Sequence, residues 1–184
     1  MRYETIHNLH IPKIGFGCWS IGGRSTAEPA WDERSLMALH SALDLGYTHF
    51  DTAESYANGH AEELLGRAIR EKGVRRADLF VTSKVAPENL RSNDVLSSCE
   101  KSLRRLGMDY LDLYLIHWPS RTIKLEESFK ALNQLVQSGK VRFLGVSNFN
   151  LKLLKKAIAL SETPLLTNQV SYSIPDNACV KDGV

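Results

Sequence analysis

The chain has 184 residues, of which 43% are hydrophobic and 24% are charged, and its formal net charge is +2. This composition is typical of one soluble globular domain, and the mixed charges without a basic block argue against a nucleic-acid partner. The three cysteines, Cys18, Cys99 and Cys179, are far apart and form no CxxC pair, which argues against a disulfide framework and a cysteine metal site. No signal-like start and no apolar run of ~18 residues is present, so we predict a cytoplasmic protein without membrane contact.

Short apolar runs alternate with segments of helical periodicity along most of the chain. The runs are rich in Val, Leu, Ile, Tyr and Phe and nearly continuous in apolar character, which is typical of parallel strands buried on both faces. A first strand is predicted to end at Gly17. The other predicted strands cover residues 47–51, 79–84, 111–117, 141–147 and 165–170.

The segments between these runs predict amphipathic helices with clear ends. Gly46, Gly107 and Gly139 each follow an apolar helical stripe and are predicted to stop a helix. Ser92 and Asn150 precede such stripes and are predicted to be N-caps.

The predicted strand ends follow one another at intervals of roughly 30 residues, which is the length of one strand and its crossover helix. Repeated units of this kind predict a parallel α/β sheet, either open or closed into a (β/α)8 barrel. A closed barrel takes ~250 residues, so only about six of eight units fit in this chain. We predict one domain over residues 1–184, with a hairpin over 3–11 turning at His7 and Asn8. No periodicity is evident in residues 174–184.

Three of the predicted strand ends carry ionisable residues, namely Asp51, Lys84 and His117. Consecutive parallel strands lie side by side, ~4.8 Å apart, and chemistry in such folds gathers at the carboxyl ends of the strands. These three side chains are therefore predicted to cluster. Tyr56 follows Asp51 in the loop above the same rim.

This combination of residues is suited to delivering a proton to a carbonyl oxygen. A phenol has a reference pKa of ~10, and an adjacent ammonium favours the phenolate. Lys84 can supply the ammonium if Asp51 holds it, and His117 can orient the reacting oxygen. The hydride of such a reduction has to come from a cofactor, because no side chain can supply it.

Each of these residues also has an ordinary structural interpretation when taken alone. An aspartate at a strand end is commonly a helix cap, a lysine is commonly solvated, and His117 or Tyr56 could simply pack in the core. The joint occurrence at one predicted rim favours the functional interpretation, since perturbed groups cluster at sites.

The sequence resembles the aldo-keto reductase family over about residues 11–172. The first matching motif is Asp-Thr-Ala-Glu-Ser-Tyr at 51–56, followed by Gly59 and Ala-Glu-Glu-Leu-Leu-Gly at 61–66. The second is Asp-Tyr-Leu-Asp-Leu-Tyr-Leu-Ile-His-Trp-Pro at 109–119. Two shorter blocks match at 145–149 and 168–170. These long, ordered motifs are far more specific than a lone glycine pattern.

The resemblance implies an (α/β)8 barrel that binds NADPH or NADH in extended form and reduces an aldehyde or ketone. Tyr56 would be the general acid, with Asp51, Lys84 and His117 as its catalytic partners. The substrate pocket would be lined by Trp19, Tyr56, His117 and Trp118. The cofactor contacts implied are Gly17, Trp19 and Asp51, together with Ser147, Asn148 and Gln169 for the nicotinamide carboxamide.

The sequence also departs from the family pattern. Family members continue for roughly another third of their length, with the last two strands, the aromatic residue that stacks on the nicotinamide and the loop that grips the adenosine phosphate. We therefore expect a C-terminally truncated member, with a divergent tail over residues 173–184 and weakened or lost cofactor binding. The alternative functions are a catalytically inactive truncated chain and a non-enzymatic, partner-binding barrel subunit. Exposed strand edges would favour self-association.

Overall fold

The computed structural model describes residues 2–6, 9–175, 177–181 and 183–184. Its strands are β1 Tyr3–Ile6, β2 Leu9–Pro12, β3 Phe16–Gly17, β4 His49–Asp51, β5 Phe80–Val85, β6 Leu111–Ile116, β7 Val141–Ser147 and β8 Asn168–Gln169. Its helices are α1 Asp32–Asp44, α2 His60–Glu71, α3 Ser92–Leu106, α4 Leu125–Gln137, α5 Leu151–Leu160 and α6 Ala178–Lys181.

Strands β3 to β8 form one parallel sheet in which neighbours in sequence are neighbours in space. The sheet is curled, and this is evident from the hydrogen bond of 3.0 Å between Gln169 at the end of β8 and Asp51 at the end of β4. Six parallel strands with intervening helices confirm the predicted partial (β/α)8 barrel. Strands β4 and β8 are shorter than predicted.

The predicted N-terminal hairpin is confirmed by the antiparallel pairing of β1 with β2. The predicted turn residues, His7 and Asn8, lie outside the described residues. Hairpin residues and the inner faces of the sheet strands together line a cavity of about 420 Å³. The hairpin therefore covers the amino ends of the strands, opposite the rim where the site was predicted.

The residues of each strand alternate between this interior cavity and the helices outside. Leu113 and Leu115 of β6 line the cavity, whereas Tyr114 between them is fully buried in the outer core. Both faces of a central strand are thus covered, which explains why the strand sequences are nearly continuous in apolar residues. Helices α1 to α5 pack one against the next around the outside.

The predicted helix ends are partly confirmed. Asn150 caps α5, since its side-chain oxygen accepts a hydrogen bond of 2.9 Å from the Leu153 amide. Gly107 ends α3 in a left-handed conformation, with φ of 66°. The prediction for Ser92 is wrong, because Ser92 is the first residue of α3 and its hydroxyl donates to the Glu127 carbonyl. A serine hydroxyl is equally suited to this tertiary partner.

The C-terminal segment differs from expectation, because residues Ala178–Lys181 form the single turn of α6. Such a short helix is too brief to produce a recognisable sequence period. In the described part of the chain, no helix has the length and apolar character that crossing a membrane requires.

Candidate active site

Strands β4, β5 and β6 each place one residue of the predicted site, facing inward, at or just beyond their carboxyl ends. Asp51 follows the interior residue His49 at a spacing of two, and Lys84 follows Thr82 in the same way. His117 continues the inward series of Leu113 and Leu115 just beyond β6. Because side chains alternate with a period of two, these three polar groups converge above the interior.

Lys84 is fully buried, and its ammonium has three oxygen partners. The Nζ atom donates to Asp51 Oδ1 at 2.5 Å and to the Thr52 carbonyl at 2.8 Å. It also lies 3.2 Å from Tyr56 Oη. A buried ammonium requires such partners, and here three donors meet three oxygens. Asp51 of β4 is paired with Thr82 of β5 in the sheet. Lys84 is the next inward-facing residue of β5 after Thr82, so it lies closer to the carboxyl edge of the sheet.

Tyr56 lies in a 3₁₀ turn over the ends of β4 and β5. Its ring packs edge-on against Trp19 and His117, at centroid distances of 5.0 and 5.5 Å, and Lys84 Nζ lies 4.8 Å from its centre. These contacts fix the ring, while the hydroxyl points to the ammonium. The structure thus brings together all four residues predicted to be catalytic.

His117 is neutral at physiological pH in this environment. Burial, with a further contribution from the Lys84 ammonium, lowers its pKa from 6.5 to about 4, although Asp51 acts in the opposite direction. Its Nδ1 atom shares a hydrogen bond of 3.2 Å with Ser55 Oγ. A neutral imidazole has one donor and one acceptor nitrogen, so the ring can orient a carbonyl oxygen without carrying charge.

The pKa of His117 leads to a testable result. We expect two-dimensional NMR of the ring nitrogens to show a titration midpoint near pH 4, with assignment by the His117→Gln variant. Because the folded pKa lies below the unfolded value of ~6.5, neutral His117 contributes stability that is lost as the pH falls from 6.5 to 4. The free energy of unfolding of the wild type should include this loss between pH 6.5 and 4, and that of His117→Gln should not. A midpoint near 6.5 would contradict the lowered pKa.

A cleft of about 640 Å³ opens beside Tyr56 and His117, while Asp51 lines the interior cavity below. The four residues predicted for the substrate pocket, Trp19, Tyr56, His117 and Trp118, all line it. Both tryptophans are 52% exposed and form apolar walls, while polar side chains complete the rim. These additional polar lining residues are Ser25, Ser55, Asn58 and Glu88.

The residues predicted for the carboxamide lie together at the ends of β7 and β8. Ser147 Oγ donates to the Gln169 carbonyl at 2.9 Å, and Asn148 Nδ2 lies 2.9 Å from Ser147 Oγ and 3.0 Å from the His117 carbonyl. Gln169 Nε2 donates to Asp51 Oδ2. Asn148 adopts a left-handed conformation, with φ of 63°.

Ser147, Asn148 and Gln169 carry groups of the kind that bind a nicotinamide carboxamide, and in this structure their side chains donate to one another, to His117 and to Asp51. A hydroxyl and two amides offer the mixed donors and acceptors that a carboxamide requires. Gly17 pairs with Asp51 in the sheet, and no atom lies within 4 Å of the position that a Cβ would take there. The fold therefore does not itself require glycine at this position, and the open space beside Asp51 is available to a ligand.

Several residues of the site were not identified from the sequence. Ser55 contacts His117, and the Thr52 carbonyl binds Lys84. Glu54 Oε1 accepts from the Ala86 amide at 2.7 Å and from Asn89 Nδ2 at 3.0 Å, which ties the Tyr56 loop to the end of β5. Glu54 and Ser55 belong to the 51–56 motif, so the sequence indicated that they lie near the site. It did not indicate which residues they contact.

No group of three His, Cys, Asp or Glu side chains among the described residues could hold a metal ion. Cys18 and Cys99 are buried free thiols, and Cys179 is a partly exposed one. Burial raises the pKa of the Cys99 thiol to about 12, so this side chain behaves as an apolar core residue.

The chain belongs to the aldo-keto reductase family, because the aldo/keto reductase family model matches residues 13–181. The matched segment extends beyond position 172, where the resemblance in the sequence was expected to end. A glyoxal reductase of Bacillus subtilis is 38% identical over 91% of this chain, and a methylglyoxal reductase of Escherichia coli has the same identity and coverage. The chain spans about half the length of these relatives, 56% in both cases.

Solved structures of aldo-keto reductases share this fold. A thermostable aldo-keto reductase crystallised with the inhibitor epalrestat has a TM-score of 0.96 and 47% identity over 100% of this chain and 67% of its own. An aldo-keto reductase from Klebsiella pneumoniae in complex with NADP and acetate has a TM-score of 0.78 and 40% identity. That match covers 90% of this chain and 56% of the Klebsiella protein.

Proposed function

We propose that this protein reduces an aldehyde or ketone to an alcohol with NADPH or NADH, using Tyr56 as the general acid. One observation carries the proposal, namely that Tyr56 Oη lies 3.2 Å from the buried ammonium of Lys84 beneath an open cleft. A phenol fixed beside a paired ammonium is suited to releasing its proton to an oxygen that gains electrons.

Each of the other residues has a role that follows from its contacts. Asp51 accepts a hydrogen bond from Lys84 Nζ and so holds the amino group in place beside Tyr56. The ammonium stabilises the negative charge that develops on the phenol oxygen as the proton leaves. His117, which is neutral, orients the carbonyl oxygen toward Tyr56, and Ser55 holds the imidazole.

The reduced nicotinamide, when bound, supplies the hydride. Ser147, Asn148 and Gln169 would hold its carboxamide, and Gly17 leaves space for it beside Asp51. The complexes of related proteins with NADP and NADPH support this choice of cofactor.

The cleft favours small polar carbonyl compounds. Its two tryptophan walls leave a space of about 640 Å³, while its rim carries hydroxyl, amide and carboxylate groups. The names of the glyoxal and methylglyoxal reductases among the relatives agree with this substrate class. The direct test is NADPH oxidation with methylglyoxal as substrate, with product analysis for the alcohol. Absence of the alcohol at millimolar NADPH would refute the proposal.

The affinity for cofactor is a separate prediction. We expect the 184-residue polypeptide on its own to bind NADPH more weakly than micromolar, because the contacts assigned above all involve the nicotinamide end. Fluorescence titration of NADPH would measure the dissociation constant, and reduced nicotinamide mononucleotide is the matched control. The two ligands should bind with similar affinity. A micromolar constant for NADPH would contradict the prediction.

A further inference from the structure

The loop after Tyr56 has an unusual backbone. Ala57, Asn58 and Gly59 follow one another with φ values of 49°, 54° and 90°, all in the left-handed region. A left-handed conformation is strained for a residue with a side chain, and such strain persists only where surrounding groups enforce it. Ala57 is fully buried and its amide donates to the Arg24 carbonyl, so this segment is well fixed.

Arg105 of α3 lies directly against the last of these residues. A Cβ at Gly59 would stand 2.6 Å from Arg105 Nε and 2.8 Å from its Cδ. The side chain therefore covers Gly59 at the point where the strained loop enters α2. The polar partners of Arg105 among the described residues are Glu62 and Ser102, so any influence of Arg105 on the phenol is indirect.

Glu62 in the first turn of α2 holds Arg105 in this position. Its carboxylate is fully buried, and Oε2 accepts from Arg105 Nε at 2.7 Å and lies 2.6 Å from Arg105 Nη2. Its other oxygen accepts from Ser83 Oγ at 2.6 Å. Ser83 faces the helices, while Lys84, the next residue of β5, faces the site. One carboxylate thus links the loop that carries Tyr56 to the strand that carries Lys84.

We propose that Arg105, Glu62 and Ser83 form a positioning network that sets the distance between Tyr56 Oη and Lys84 Nζ. This inference rests on the proposed function, since it assigns the network to that acid. Both guanidinium nitrogens of Arg105 approach Glu62 Oε2, and such charge-assisted contacts hold a side chain more firmly than an apolar contact at this place would. Displacements of about 1 Å in reacting groups can cost roughly 100-fold in rate.

The fold contains a matched control at the opposite end of the strands. Asp112, near the start of β6, is also fully buried and accepts from Arg76 Nη2 at 2.6 Å and from Arg142 Nη1 at 2.6 Å. This cluster is likewise a fully buried carboxylate held by arginine, and among the described residues the hydrogen bonds of Asp112 go to Arg76, Arg142 and the Val81 amide, none of them in the Tyr56 loop. A mutation in either cluster should therefore lower the stability of the protein by a similar amount. Only a mutation in the Arg105 network should displace the loop that carries Tyr56.

The test compares Arg105→Met, Arg105→Lys and Asp112→Asn by hydrogen–deuterium exchange and by steady-state kinetics. Arg105→Met should increase exchange selectively in the amides of residues 55–60 and lower kcat about 10- to 100-fold with little change in the KM for the carbonyl substrate. Arg105→Lys keeps the positive charge but lacks the planar guanidinium group. Its changes in exchange and in kcat should therefore be smaller than those of Arg105→Met. Asp112→Asn should leave the exchange of residues 55–60 and kcat within about twofold of wild type, despite a lower melting temperature.

The outcomes separate the inference from the proposed function. If the wild type shows no reductase activity, the proposed function fails, while the exchange data still decide whether the network fixes the loop. Unchanged exchange at residues 55–60 in Arg105→Met, or an equal fall of kcat in Asp112→Asn, would overturn the inference. If Arg105→Met does not fold, Arg105→Lys and Ser83→Ala provide the same comparison with smaller changes, since each removes only part of the network.

Discussion

Replacing Tyr56 with phenylalanine is expected to lower kcat for carbonyl reduction by about two to four orders of magnitude. The change removes the proton donor and leaves the ring, which packs against Trp19 and His117. The KM for NADPH and the melting temperature should stay close to wild type, because the hydroxyl contacts Lys84 and none of the predicted carboxamide ligands. Stopped-flow measurement with saturating NADPH would isolate the chemical step.

The matched control for this variant is Tyr110→Phe. Tyr110 stacks under the Arg76 guanidinium at the amino end of β6, far from the cleft. This second variant should retain kcat within about twofold, as most surface substitutions away from a site do. Equal activity of the wild type and Tyr56→Phe would remove Tyr56 from the role of acid, whatever the result for Tyr110.

Replacing Lys84 with methionine is the second change with a large expected effect. We expect kcat to fall at least about 100-fold, because no other cation is within hydrogen-bonding distance of Tyr56 Oη among the described residues. The free energy of unfolding should fall by about 3 kcal/mol, at the lower end for a broken buried pair, because Asp51 keeps the Gln169 amide as a donor.

Lys140→Met is the matched control for the loss of a lysine. Lys140 is 42% exposed and pairs with Glu100 at the surface, so its removal should change stability by less than about 1 kcal/mol and leave kcat unaffected. Chemical denaturation and steady-state kinetics would measure both quantities. A Lys84→Met variant that retained full activity would show that Tyr56 does not depend on the ammonium.

Much of the fold was predictable because its signals are local. Strand positions followed from apolar runs, and Asn150 and Gly107 marked helix ends through chemistry that acts within a few residues. Ser92 was assigned wrongly, because its hydroxyl binds a carbonyl on another helix and no local pattern reveals that partner. The single turn of α6 is too short for periodicity to register.

The site was predictable to the same degree and for the same reason. Asp51, Lys84 and His117 were predicted at one rim because they end three consecutive parallel strands. The sequence did not reveal the left-handed stretch after Tyr56, because Ala57 has no intrinsic preference for that conformation. It also gave no sign that Glu62 would be buried, since a glutamate in the first turn of an amphipathic helix is usually solvated.

The contacts of the site also indicate the order in which it can assemble during folding. Lys84 bonds to Asp51 across 33 positions of the chain and to Tyr56 across 28 positions, so these contacts need only two successive strands. The bond from Gln169 to Asp51 spans 118 positions and needs the whole sheet. Contacts of short sequence separation form early because their loops cost less entropy to close. The bond from Ser147 to Gln169 spans only 22 positions, so each half of the site can form on its own, and we expect the link between the halves, from Gln169 to Asp51, to form last.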